Sequence, residues 1–234
     1  MTPGGTGRSS DARARAAQTK RDRTRRALLD AADAHFGARG WNRTRMEDVA
    51  ATAGVSPATA YNHFPSKHAL IGHVYRPLVL SLVGQAEQDR RAGRPVVDAL
   101  RDQLEALART SWRHRGLTGA FWYAAQDYVA TRVGRPPDPD VPGDPGDPRT
   151  LAPVPDTLLG LLRDGQASGQ LRRYPPAAEI SGVVVDTLLV RAVNRPHEPP
   201  EQTAELLLTV LFGTLKPELL CAVGVDERPF AGGH

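Results

Sequence analysis

Cysteine is almost missing from this chain of 234 residues, with Cys221 the one thiol. That excludes an internal disulfide framework and any thiolate zinc cluster. Aromatic residues supply only 6% of the chain. Alternating β-branched runs are absent, which argues against a sheet-built core. Long hydrophobic runs are missing too. A bilayer-spanning helix needs about 20 mostly apolar residues, whereas the best stretch, residues 183–193, carries Asp186 and Arg191. The N-terminus has charge but no apolar segment behind it, unlike a secretory signal. The chain is therefore expected to be soluble and cytoplasmic, with no membrane partner.

Catalytic signatures are equally scarce. Gly165-Gln166-Ala167-Ser168-Gly169 has the wrong spacing for a nucleophile elbow, and neither a phosphate-cradling loop nor a dinucleotide fingerprint occurs. His63, His68 and His73 recur every five residues, which rotates them off a common helix face and argues against joint metal ligation. Cys221 has no evident base beside it. No catalytic residue, cofactor or metal is assigned, and the chain is not expected to be an enzyme.

What is present is an uneven charge. The total is +4, but residues 1–45 hold eleven Lys/Arg and four Asp, a net of +7, which leaves −3 for the remainder. A basic front end on a mildly acidic body points to an anionic partner for the front alone.

Residues 1–19 read as a disordered basic tail. Residues 134–155 contain eight prolines and four aspartates and read as a long flexible loop. The rest reads as helix. A first helix over residues 20–39 places Leu28, Ala32 and Phe36 on one face, with Arg21, Asp22 and Arg25 elsewhere, and Gly40 is its stop. Thr44-Arg45-Met46-Glu47 has the spacing of a capping box opening a short second helix. Ser56 caps a third, with Pro57 at its first position. Ser66 caps a fourth beginning at Lys67. Two short helices joined by Gly54-Val55-Ser56 make a helix-turn-helix pattern.

The run Ala31-Ala32, Phe36, Gly40-Trp41, Thr44, Val49-Ala50, Ala53-Gly54-Val55-Ser56, Thr59, Tyr61, His63-Phe64, Ser66-Lys67, Leu70 resembles the N-terminal domain of the TetR family of bacterial transcriptional regulators. It departs at Ala58, where Gly is frequent, and at Ala60, where a larger aliphatic residue usually packs. The resemblance implies an all-α protein. A three-helix DNA-binding domain (residues 20–70) would be followed by a helical effector-binding and dimerisation bundle (residues 71–220) and a tail (221–234). It implies a third helix lying in the major groove of double-stranded DNA, presenting Pro57, Ala58, Thr59, Tyr61 and Asn62. Thr59 and Asn62 are candidate base readers; Thr44, Arg45, Tyr61, His63 and Lys67 are candidate phosphate contacts. Plainer roles stand beside these: Thr44 as a helix cap, Tyr61 as half-buried packing, His63 and Lys67 as solvated side chains.

In the body, Trp112, Phe121, Ala125 and Tyr128 are candidate lining for an effector pocket, with an ordinary core as the alternative. The last two long helices are apolar beyond one face, and Val183, Thr187, Leu188, Leu207 and Leu211 are candidates for a homodimer interface. The expected function is a ligand-responsive repressor that binds a palindromic operator as a dimer and answers to a small apolar or aromatic effector. The alternative is a helical small-molecule-binding or enzymatic protein that retains the fold without operator binding.

Overall fold

A computed structural model describes residues 6–131, 144 and 146–215. Its elements are α1 (Thr6–Arg43), α2 (Met46–Thr52), α3 (Pro57–His63), α4 (Lys67–Arg91), α5 (Val96–Arg113), α6 (Arg115–Thr131), α7 (Pro148–Leu151), α8 (Asp156–Ala167), α9 (Ala177–Asn194) and α10 (Pro200–Leu215). Among the described residues there is no strand. No helix is long and apolar enough to cross a membrane.

α1 starts well before Lys20, so much of the stretch expected as an irregular tail is helical. Residues 8–36 contain no Gly or Pro and are rich in Ala and Arg, which have high intrinsic helix propensity. The helix breaks at Gly40 (φ 72°), and the α2–α3 turn uses Gly54 (φ 70°). Both angles lie in the left-handed region, which costs glycine little and a residue with a Cβ more.

The chain divides into two compact units. The first comprises the described parts of residues 1–77 and 114–153, so α6 and α7 pack with the N-terminal helices. Leu28, Ala32 and Phe36 are fully buried, as the periodicity predicts. Gly116 of α6 sits so close to α1 that a methyl group there would collide with the Gly37 carbonyl. Tyr75 stacks on Phe121 with ring centroids 4.4 Å apart, and its hydroxyl hydrogen-bonds that of Thr118 at 3.2 Å. Within the stretch expected as a loop, Asp147-Pro148 opens α7. The Asp147 carboxylate accepts from the Arg149 N–H at 2.8 Å, and proline suits the first helical position. Residues 134–143 and 145 of that loop region, and the tail with Cys221, lie outside the described residues.

The second unit comprises the described parts of residues 78–113 and 154–234. Leu100, Leu104 and Leu107 of α5 are buried. The buried Gln103 amide donates to the Leu82 carbonyl at 2.9 Å. Arg90 grips the Asp164 carboxylate with two hydrogen bonds of 2.6 and 3.0 Å. At the α9–α10 corner, Glu198 accepts from Arg191 at 3.1 Å and from the Thr203 hydroxyl at 2.6 Å. These bonds, the hydroxyl first, hold its carboxyl below the usual range.

Candidate nucleic-acid interface

α3 has seven residues, shorter than an isolated helix needs to persist in water. Its geometry is fixed from outside. The Ser56 hydroxyl accepts the Thr59 N–H at 3.2 Å and pairs with the Thr59 hydroxyl at 2.9 Å, the cap its sequence predicts. Pro57 follows at the first helical position. Ala60 and, just past the helix, Phe64 are fully buried, so the small Ala60 side chain still seats the helix. The far end is held from α1, where Arg25 donates to the His63 carbonyl at 3.2 Å. The Arg25 guanidinium also lies 4.3 Å from the centre of the Phe64 ring. Arg25 precedes Leu28 by three residues and so shares its face of α1. The expectation that Arg25 lies off that face is corrected by this contact. Arg25 was missed as a positioning residue; its i, i+3 and i+7 spacing to Leu28 and Ala32 was the available signal.

Held in this way, α3 turns Pro57, Ala58, Tyr61 and Asn62 to solvent, with Tyr61 45% exposed and Thr59 intermediate. The spacing i, i+1, i+4, i+5 is one continuous face opposite Ala60 and Phe64. Arg45 is exposed, and His63 is half-buried. Burial, then the nearby Arg21 and Arg25, lowers the His63 pKa. The same two cations make this end of α3 electropositive.

Two candidates are placed differently from expectation. Thr44 is buried, and its hydroxyl donates to the Gly40 carbonyl at 2.8 Å. The cap position of α2 is Arg45, which makes no side-chain cap bond, so the capping box does not form. The Thr44 N–H donates to the Trp41 carbonyl at 3.3 Å, and the hydroxyl takes the Gly40 carbonyl instead. Lys67 is not a solvated residue. Its ammonium donates to the Trp41 carbonyl at 3.0 Å and the Thr44 carbonyl at 3.2 Å, and lies 3.8 Å from the Trp41 ring centre. Burial lowers its pKa, against a weaker opposing pull from Asp127. It ties the start of α4 to the α1–α2 corner. Next to it His68 packs between Trp41 and Tyr128, at 4.7 and 5.3 Å, and bonds Asp127 at 2.9 Å.

The candidate effector residues divide between the two units. Phe121, Ala125 and Tyr128 are buried in the first unit, where Phe121 stacks on Tyr75 and the Tyr128 hydroxyl donates to Asp144. Trp112 belongs to the second unit and is 38% exposed. There it borders a small cleft with Leu188, Arg191, Arg195 and Glu198. The periodicity that grouped these aromatics ignored the end of α5 at Arg113. The candidate dimer residues also divide. Leu188, Leu207 and Leu211 are buried within the chain, while Val183 and Thr187 are exposed together with Leu206 and Val210. Among the described residues no group of three or more His, Cys, Asp or Glu could hold a metal ion.

Residues 28–74 match the family model described as "Bacterial regulatory proteins, tetR family". Among curated proteins, an HTH-type transcriptional regulator BetI of Rhizobium meliloti is 38% identical over 89 residues, 38% of this chain and 42% of the relative. An HTH-type transcriptional repressor KstR2 of Rhodococcus jostii is 34% identical over 85 residues, 36% of this chain and 40% of the relative. The chain thus spans about two fifths of the length of these curated relatives. The fold matches more widely. The crystal structure of Thermus thermophilus FadR, a TetR-family repressor in complex with lauroyl-CoA, aligns with a TM-score of 0.63 at 23% identity, covering 89% of this chain and all (100%) of that one. The complex of RolR with resorcinol aligns at 0.57 and 15% identity, covering 91% and 97%. A helix-turn-helix with an outward-facing α3 thus lies in the stretch, residues 28–74, that is similar to the tetR family of bacterial regulatory proteins.

Proposed function

We propose that the protein is a DNA-binding transcriptional regulator, a ligand-responsive repressor that binds a palindromic operator as a homodimer. The observation that carries this reading is the solvent-facing side of α3, Pro57, Ala58, Tyr61 and Asn62, on a helix whose opposite side is fully buried. A seven-residue rod of that kind enters a major groove, where Asn62 offers an amide to adenine and Thr59 a methyl or hydroxyl to a base edge. Tyr61, Arg45 and His63 flank it as phosphate contacts. Lys67 and Thr44 shape the α1–α2 corner, and Lys67 keeps its third donor for a phosphate.

The second copy is supported by the apolar stripe Val183, Leu206 and Val210, bordered by Thr187. These side chains are exposed on α9 and α10 (Val183 66%, Leu206 42%, Val210 59%). Exposed large apolar patches on soluble chains mark partner surfaces. An effector that binds one DNA-competence state better than the other shifts operator occupancy. The neighbours' ligands, lauroyl-CoA and resorcinol, favour an apolar or aromatic effector here as well.

The test is selection of bound duplexes from random DNA by the purified protein. Enrichment of a palindrome with a fixed half-site spacing is expected. Enrichment of nothing at low salt would remove the reading.

A further inference from the structure

Basic side chains from three helices gather round one phenylalanine at the end of α3. The Arg25 guanidinium lies 4.3 Å from the centre of the Phe64 ring. The His73 ring of α4 meets it edge-on at 5.5 Å, and the His63 ring lies 6.5 Å away. Arg21 stands one helical turn before Arg25 and so on the same side of α1. Two imidazoles, whose ordinary titration falls near neutral pH, are thus set among side chains that are always cationic. The last turn of a helix favours positive charge, but Arg25 already takes the His63 carbonyl at 3.2 Å. The charges acting on the His63 ring are Arg21 and Arg25 from α1. Across Phe64, α4 adds His73, which is itself acted on by Arg25 and Arg76. Asp22, between the two arginines in sequence, accepts from Gln18 at 2.9 Å and is not among the groups acting on either ring.

We propose that operator binding takes up a proton at His63, so that the protein grips DNA more tightly as pH falls. The inference rests on the regulator reading above and adds to it the proton as a second ligand. In the free protein, burial and the two guanidiniums keep the ring neutral, because a further cation beside them is repelled. What the cluster lacks is negative charge, and a backbone phosphate brings it. His63 is half-buried rather than sealed and closes the helix whose exposed face would enter the groove. A phosphate at that end meets the ring and the exposed Arg21 together. An opposite charge at such range favours the protonated ring. The proton comes from solvent, and the imidazolium then donates a charge-assisted hydrogen bond to a phosphate oxygen. Because the complex holds the proton more firmly than the free protein, affinity rises through the interval between the two titrations and levels off on either side. His73 shares the cations but belongs to α4, off the end of the reading helix, and takes no part in the uptake.

The test measures affinity of the full-length protein for a selected duplex between about pH 6 and 8, where circular dichroism shows helical content unchanged. Wild type is expected to gain threefold or more as pH falls, within the limit of about tenfold per pH unit for each proton taken up. Its log-affinity against log-salt slope should steepen at low pH by about 0.9 for each phosphate newly neutralised. H63Q should flatten the pH profile at the weak, high-pH level. H63K, charged throughout, should flatten it near the strong, low-pH level, and H73Q should keep the wild-type profile. Titration calorimetry in two buffers of different ionisation heat should show protons absorbed by wild type, and this reading stands even where a variant folds poorly. A wild-type affinity independent of pH, no proton uptake in the calorimeter, or a profile equally steep in H63Q would overturn the linkage while leaving the regulator intact. Failure of wild type to select any duplex would instead overturn the regulator reading and this inference with it.

Discussion

α3 and α9 are opposite ways of making a helix. α3 has seven residues and one buried position, Ala60, and depends on particular partners: a serine cap, a proline start and an arginine from α1. α9 has eighteen residues and seven buried ones, and depends on area. In the short helix, position is set by directional bonds whose residue types are visible in the sequence. In the long one, apolar side chains occur on every face, and only the neighbours decide which are covered. The cap and proline start of the short helix are thus legible locally, whereas its Arg25 tether and the covered faces of α9 require the rest of the molecule.

The largest effects belong to the packed helix. Leu188 is 1% exposed and Val183 66%. Leu188→Ala should lower the stability of the second unit by about 2–5 kcal/mol, the range for a deleted core leucine. Val183→Asp should leave chemical denaturation of the chain nearly unmoved and raise the dimer dissociation constant in sedimentation equilibrium. Equal destabilisation by both would erase the distinction between covered and uncovered faces.

Lys67 comes next. A charge-assisted pair of hydrogen bonds from a half-buried ammonium is worth about 1–3 kcal/mol. Lys67→Ala should lower the melting temperature in the absence of DNA, unlike a residue that only meets phosphate. Asn62→Ala, by contrast, should leave that temperature unchanged and cost about 1–3 kcal/mol at one operator position, measured by competition among single-base operator variants. Ser56→Ala comes below these, at about 1 kcal/mol for a lost N-cap, read by thermal unfolding.

The smallest effect is one of pH. Burial, with Arg25 and other cations, lowers the pKa of both His63 and His73. Below the ordinary histidine value of about 6.5 the unfolded chain binds protons that the folded chain resists. Stability of the first unit is therefore full above that value and falls as pH drops through it toward the folded values. Denaturation midpoints at pH 7.5 and 5.5 should show the decline, and H63Q/H73Q should flatten it.

Much of the α1–α3 region was legible because glycine, proline and serine mark boundaries by backbone chemistry: Gly40, Gly54, Ser56 and Pro57 all stand where the sequence places them. Thr44 was misread because a Thr-x-x-Glu spacing reports a possible cap, while the Gly40 carbonyl four residues earlier competes for the hydroxyl once Gly40 turns left-handed. The carbonyl and ring contacts of Lys67 and Arg25 were illegible for a related reason. A long cation's partner is set by where its stem can lie, and a nearby carbonyl or ring wins over solvent. The aromatics from Trp112 to Tyr128 looked like one cluster because sequence proximity ignores a break between helices. Phe121 found Tyr75, forty-six residues earlier, as its stacking partner.

The grip of Arg25 on the last turn of α3 has a practical corollary for engineering. Seven residues that borrow their shape from a guanidinium thirty-eight positions away are not a portable module. Swapping 57–63 into another scaffold would transfer the letters without the vice that holds them. A chimera that keeps DNA preference would have to import Arg25 and Phe64 along with the reading face.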